Sequence, residues 1–320
     1  MADVEQIVTV RNRAGHALHC LLTLPESGPK SDIACLLLSP GVKMRVAPHR
    51  LYRKLAPEFL GAGIPVMRVD FHGLGDSEGD LPEQQLDQLY RQVQLGRHVP
   101  DVLAAMDWLA VQYGIKRFIV GGLCGGALTG LLAAEHDERV AGLYALGIPV
   151  TLDASGAHAA DVMTQGQLKR VRGIYLRKLF DPASWRRLLT ARSDYRTILR
   201  AILVAVGLKP RSGRKVTVTE VPAPVSPPAA NLNMHFVRAM FRHLTLRKPA
   251  LLIFSGADRL HFEYEEKFAT PWAEPLSRHG DLVELALIPQ ANHVLSDPAW
   301  IGQARALTAA WLRSRFGVGT

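Results

Sequence analysis

Between residues 117 and 134 the chain reads RFIVGGLCGGALTGLLAA. An apolar β-type run ends at Val120, and a small-residue helical pattern begins just after Cys124. The junction between them is Gly122-Leu123-Cys124-Gly125-Gly126. A Gly-x-nucleophile-x-Gly spacing between a strand and a helix marks a turn sharp enough to strain the backbone of its central residue and hold that side chain clear of the sheet. Only residues without a bulky Cβ substituent fit two places before and two places after the centre, and Gly122 and Gly126 fill those places. Most such turns present a hydroxyl. A thiol in its place points to acyl chemistry through a thioester intermediate.

The rest of the chain alternates strand and helix patterns around this turn. Residues 6–10 and 17–24 read as short strands joined at Asn12-Arg13-Ala14-Gly15, and the apolar run 33–39 reads as a strand buried on both faces. The loop Pro40-Gly41-Val42-Lys43 follows, then a helix over 48–62 on the spacing of Leu51, Leu55, Phe59 and Leu60. A buried strand at 64–70 leads into the glycine-rich loop FHGLGDSEG at 71–79. Val102, Met106, Leu109 and Val111 mark a helix near 98–113, and 139–148 is a further strand. The alternation stops near residue 150, then resumes with strands at 250–256 and 281–290 and a last helix from Ile301 to Phe316.

This pattern predicts an α/β fold, a mostly parallel central sheet with helices on both faces. It divides the chain into a core of 1–149 and 250–320 and an insert over 150–249. The insert has helical patterns around 165–180, 183–206 and 231–245, and its Pro-, Ser- and Val-rich stretch near 209–230 reads as an irregular, mobile loop.

Charge separates the same two parts. Residues 151–249 hold 18 Lys and Arg against 5 Asp and Glu, so a strongly basic insert accounts for the net +9 of the 320-residue chain and leaves a mildly acidic body. The basic stretch has few aromatics and no recognised nucleic-acid motif, so no nucleic-acid partner is expected. MADVEQIVTV has no basic leader before an apolar stretch, and no apolar segment approaches the length of a membrane span. The odd set Cys20, Cys35 and Cys124 shows no close pairing, and the first two sit in strand-like runs as small apolar side chains. A reducing, cytoplasmic setting is expected. His49, His72 and His98 are scattered without metal-ligand spacing, so neither a metal nor another cofactor is expected.

A cysteine nucleophile needs a base, and the base needs an orienting group. The strand at 250–256 runs into Asp258, and the last strand runs into Asn292 and His293; Asp281 and Asp297 are weaker rivals to Asp258. Nucleophile, acid and histidine in this order, each on a loop after a strand, resemble the α/β-hydrolase fold with an inserted helical cap. The resemblance implies Cys124 as nucleophile, His293 as general base and acid, and Asp258 as the group orienting His293. It places Ser39-Pro40-Gly41-Val42 at the family's oxyanion loop, making the Val42 and Gly125 amides the candidate oxyanion donors, each worth roughly 3–4 kcal/mol in comparable sites.

Within the family, PGVKMRVAPHRLYRKLA together with GLCGGA is similar to a bacterial subgroup described as serine aminopeptidase-like or exosortase A system-associated hydrolases. The turn is also similar to that of polyhydroxyalkanoate synthases, though little else matches. In the resembling dienelactone hydrolases a carboxylate contacts the thiol, a role open here to Asp76 or Glu78; otherwise the glycine-rich loop simply shapes the pocket wall. Lys43 and Arg45, beside the oxyanion loop, are candidates to recognise a substrate carboxylate or phosphate, or are simply solvated.

The leading expectation is an ester or thioester hydrolase acting on a small acyl substrate. A thioester intermediate also permits acyl transfer to an alcohol, amine or thiol, and a non-catalytic binding protein on the same scaffold is a third reading. The basic insert mainly presents solvated helix faces, or attracts an anionic substrate such as a CoA or acyl carrier protein thioester. Its amphipathic stretch Tyr195 to Leu208 is a candidate for peripheral contact with anionic lipid.

Overall fold

Eight of the apolar runs become strands of one sheet. In the computed structural model, which describes residues 3–26, 28–29, 31–81, 85–152 and 221–317, these are β1 (Val4–Arg11), β2 (Ala17–Leu24), β3 (Ile33–Leu38), β4 (Val66–Val69), β5 (Arg117–Leu123), β6 (Val140–Leu146), β7 (Ala250–Ser255) and β8 (Val283–Ile288). Their spatial order is β1-β2-β4-β3-β5-β6-β7-β8. The β1/β2 hairpin and the β2/β4 pair are antiparallel, and every pair from β4 through β8 is parallel. Parallel strands need crossovers that cover both faces with helices, which explains why β3 and β7 are apolar and buried along their whole length.

The described helices are α1 (Leu51–Gly61), α2 (Leu86–Gln94), α3 (Val99–Tyr113), α4 (Gly125–Ala134), α5 (Met234–Thr245), α6 (Arg259–Tyr264), α7 (Ala273–Ser277) and α8 (Pro298–Phe316). Successive strand residues point to opposite faces, and two apolar clusters result. Leu36, Met67 and Val120 pack with Leu128 of α4 and Phe236 of α5. Leu37 and Ile119 pack on the other face with Phe59 of α1 and Trp311 of α8. All ten residues of α4 are buried, so the helix after the Cys124 turn is held from every side.

Three local expectations change. Helix α2 was not predicted, although Leu86, Leu89, Tyr90 and Val93 repeat at helical spacing. Val111 is 79 % exposed, because two residues beyond Leu109 is about 200° around a helix and therefore the opposite face. The core also reaches further into the predicted insert than the loss of alternation at residue 150 implies. The helical pattern at 231–245 is α5, whose Phe236, Val237, Met240 and Leu244 are buried in the sheet-facing cluster. Within the Pro-rich stretch, residues 221–230 are tied to the body: the Trp272 indole N–H donates to the Pro222 carbonyl at 2.7 Å, and the Val225 N–H donates to the Pro271 carbonyl at 2.8 Å.

The two ends of the insert are joined by a Thr151–Leu232 bridge, with the Leu152 N–H donating to Asn231 and the Asn233 N–H to Val150. The helical patterns around 165–180 and 183–206, the stretch Tyr195–Leu208 and the loop before residue 221 lie outside the described residues. No helix among the described residues is long and apolar enough to cross a membrane.

Phe236 is fully buried edge-on against Phe268 at a centroid separation of 4.9 Å. Truncating a buried aromatic removes its transfer energy and leaves a cavity. Phe236→Ala is expected to lower the unfolding free energy by about 3–5 kcal/mol, read as a shift of the urea midpoint with an unchanged slope. A helix belonging to a separately folding insert would leave the transition of the sheet domain in place.

Candidate active site

The β5–α4 junction forms the sharp turn that its glycines predict. Cys124 sits at φ 54°, ψ −119°, a conformation L-residues rarely adopt, and is only partly buried. The packing around it leaves no room for side chains at the flanking positions. A Cβ on Gly122 would lie 2.3 Å from the Tyr52 hydroxyl, and one on Gly126 would lie 2.4 Å from the Leu38 carbonyl oxygen. The Cys124 N–H donates to the Leu146 carbonyl at 2.9 Å, which fixes the turn to β6.

The loops after β7 and β8 bring the other two predicted groups to the same place. The His293 Nδ1–H donates to Asp258 Oδ2 at 2.5 Å, and Cys124 lines the same cavity as the ring. Burial disfavours a charged His293, but the hydrogen bond to Asp258 and the neighbouring Cys124 outweigh it and raise its pKa from 6.5 to about 10. Asp258 also accepts from the Leu260 N–H at 3.4 Å, which orients the carboxylate. Its rivals have other places: Asp297 caps α8 through the Ala299 N–H, and Asp281 pairs with Arg247 at the surface.

The loop after β3 lies directly over the turn. Gly41 is pressed so closely against Gly125 that a Cβ on the latter would come within 2.6 Å of the Gly41 Cα. Gly125 opens α4, so its N–H has no partner one turn back. Val42 follows on the same loop, half-buried.

Two buried groups that the sequence reading did not single out hold these pieces in register. The Tyr52 hydroxyl donates to the Leu38 carbonyl at 2.6 Å and accepts from the Leu123 N–H at 2.8 Å, bridging the end of β3 to the end of β5. Asp70, fully buried at the end of β4, accepts from the Arg45 N–H at 2.5 Å, the Arg45 guanidinium, the Ser39 hydroxyl and the Asp76 N–H.

These contacts remove several candidates from the reacting centre. Arg45 is engaged by Asp70 and Asp76 and braces the loop. Glu78 accepts from the Ala17 N–H at 2.6 Å, on the hairpin side of the glycine-rich loop. Neither Asp76 nor Glu78 contacts the thiol, because the loop is wrapped around Asp70 and the β1/β2 hairpin instead. Lys43 is exposed and does not line the cavity.

That cavity, of about 390 Å³, is lined by Cys124, Gly125, Asp258 and His293, by Tyr90, Val93 and Gln94 of α2, and by Pro149, Arg259 and Leu260. The α2 wall was missed with its helix, and Arg259 was hidden beside Asp258. Among the described residues no group of His, Cys, Asp and Glu is placed to hold a metal ion.

Tyr52→Phe removes the hydroxyl while keeping the ring, leaving the Leu38 carbonyl and the Leu123 N–H without it. Chemical denaturation is expected to show a loss of about 1–3 kcal/mol. Cys124 alkylation should slow as the turn loosens, and unchanged reactivity with unchanged stability would deny the bridge its role.

Neither a protein-family model nor a curated protein sequence matches this chain. Solved structures do. An esterase from Pyrococcus furiosus superposes with a TM-score of 0.56 at 16 % identity, covering 98 % of this chain and 92 % of that one. The esterase domain of a Rhodothermus marinus protein gives 0.53 at 17 % identity, covering 97 % and 98 %. An α/β serine hydrolase homologue from Coxiella burnetii gives 0.50 at 13 % identity, covering 96 % and 97 %. At such low identities it is the architecture that is shared: the chain has the α/β-hydrolase fold.

Proposed function

We propose that the protein is an acyl hydrolase that cleaves esters or thioesters through a covalent acyl-cysteine. The carrying observation is that the strained Cys124 and the hydrogen-bonded His293–Asp258 pair line one cavity of substrate size. Esterases among the structural neighbours support the same reaction class.

In this reading the substrate carbonyl sits between Cys124 and the amides of Gly125 and Val42. Sulfur attacks the carbonyl carbon with its proton already held on His293 Nε2, since Nδ1 is committed to Asp258. A ring whose protonated form is favoured up to about pH 10 holds that proton until the leaving group needs it. The C=O electron pair moves onto oxygen, where the two amide donors stabilise it. Collapse of the tetrahedral intermediate breaks the bond to the leaving alcohol or thiol, which takes the proton from His293. Water then attacks the thioester, giving its proton to His293, and collapse releases the carboxylic acid and frees the sulfur with that proton held on His293. Asp258 holds the ring orientation and balances the imidazolium throughout.

Incubation with p-nitrophenyl esters and acyl thioesters, followed by mass spectrometry, tests this directly. Cys124 is expected to gain one acyl mass, and free acid is expected to accumulate without an added acceptor. Cys124→Ala should lose the adduct and reduce turnover on the order of 10³-fold or more. Turnover that requires an added alcohol, amine or thiol would replace hydrolysis by transfer. Undiminished activity in Cys124→Ala would end the covalent reading.

Asp258→Asn removes the main group favouring the charged ring, so the His293 NMR titration should move from about 10 toward 6.5. Turnover should fall on the order of 10³- to 10⁴-fold with the fold preserved. Because the folded-state pKa is raised, this ring contributes stability that is complete below pH 6.5 and is lost as pH rises through about 10. Wild type should therefore lose stability across that window, and Asp258→Asn should flatten the decline.

A further inference from the structure

We propose that Arg259 forms an anion subsite beside Cys124, selecting acyl substrates that carry a carboxylate or phosphate a few bonds from the scissile carbonyl. The proposal deepens the acyl-hydrolase reading and rests on it for the identity of the reaction. Lys43 and Arg45, the cations expected to fill this role, are respectively outside the cavity and bound by Asp70 and Asp76. Arg259 does line the cavity, immediately after Asp258 and together with Cys124 and Gly125.

Its placement is built into the fold. Arg259 Nη1 donates to Glu263 Oε1 at 3.1 Å, and Glu263 Oε2 accepts from the Thr151 hydroxyl at 3.0 Å. The Glu263 side chain is 3 % exposed and that of Arg259 is 55 % exposed. A buried carboxylate thus grips the guanidinium from below while more than half of the arginine side chain stays open to solvent. A guanidinium carries a planar fork of donors matched to carboxylate and phosphate oxygens.

The surrounding charges agree with an anionic ligand. Of the described charged residues lining the cavity, Asp258 is paired with His293, whose protonated form is favoured, and Arg259 adds a second cation. Glu263 lies behind Arg259, with Lys267 near it donating to Asn231. Val93, Pro149 and Leu260 line the same cavity and provide apolar surface for the remainder of the acyl chain.

Alkylation of Cys124 by iodoacetate and by iodoacetamide tests the subsite without relying on turnover, since the two reagents differ chiefly in charge. In Arg259→Gln the iodoacetate rate is expected to fall about 10- to 100-fold, with the iodoacetamide rate unchanged. The double variant Arg259→Gln/Glu263→Gln, which leaves no buried carboxylate unpaired, should show the same selective loss. Equal losses with both reagents, or no loss with either, would overturn the proposal.

Steady-state arms then locate the anion. Mono-p-nitrophenyl glutarate against p-nitrophenyl butyrate reads a charge on the acyl side, and butyryl-CoA against butyryl-N-acetylcysteamine reads one on the leaving group. A selective loss of kcat/KM in either charged arm supports the subsite, and uniform loss across all four assigns Arg259 a structural role instead. A selective alkylation effect in an enzyme that turns over none of these substrates would keep the anion site and reject the hydrolase reading.

Discussion

The backbone of Cys124, held at φ 54°, ψ −119°, is the constraint on which the site depends. A residue in such a conformation carries about 1–3 kcal/mol of strain and persists only where its surroundings over-determine it. Here they do. One side of the turn is fixed by the fully buried α4, another by the Cys124–Leu146 hydrogen bond, and the underside by the Tyr52 hydroxyl between Leu38 and Leu123. The strain lifts the sulfur out of the sheet toward the loops after β7 and β8, where Asp258 and His293 stand.

A second level of support comes from a charge with no place at the reacting centre. Asp70 gathers the Arg45 backbone and side chain, the Ser39 hydroxyl and the Asp76 N–H around one buried carboxylate. Leaving such a charge without partners would be costly, so the loop carrying Val42 and the glycine-rich loop are both drawn to it. The loop carrying Val42 is thereby positioned by electrostatics, and the turn carrying Cys124 is positioned by packing.

Much of this was legible in the sequence because the signals were local. The strand–turn–helix around Cys124 and the buried runs at β3 and β7 follow from periodicity and spacing, and the grouping of Cys124, Asp258 and His293 from the family resemblance that their order carries. What was not legible depends on partners distant in the chain. Nothing near Tyr52 announces that its hydroxyl will meet Leu38 and Leu123. Arg45 reads as a free cation until Asp70 is brought to it from the neighbouring strand. Arg259 reads as part of a surface turn until Glu263 and Thr151 fix it on the cavity wall. The inner boundary of the insert was misplaced for a related reason: α5 completes the layer over α4, but it follows a long interruption of the alternating pattern that identifies that layer.

The order of strands also sets when the candidate site is complete. β6 finds its neighbour β7 only after the whole insert has been made, with Leu143 paired to Ala250, and His293 arrives later still, behind β8 at the sheet edge. Contacts so distant along the chain form late and slowly, and domains built this way complete only near the end of synthesis. A nascent chain therefore carries Cys124 well before it carries the imidazole and carboxylate that the fold brings to the same cavity. The candidate site is completed by the joining of the last strands, so a truncated copy presents Cys124 without its two companions.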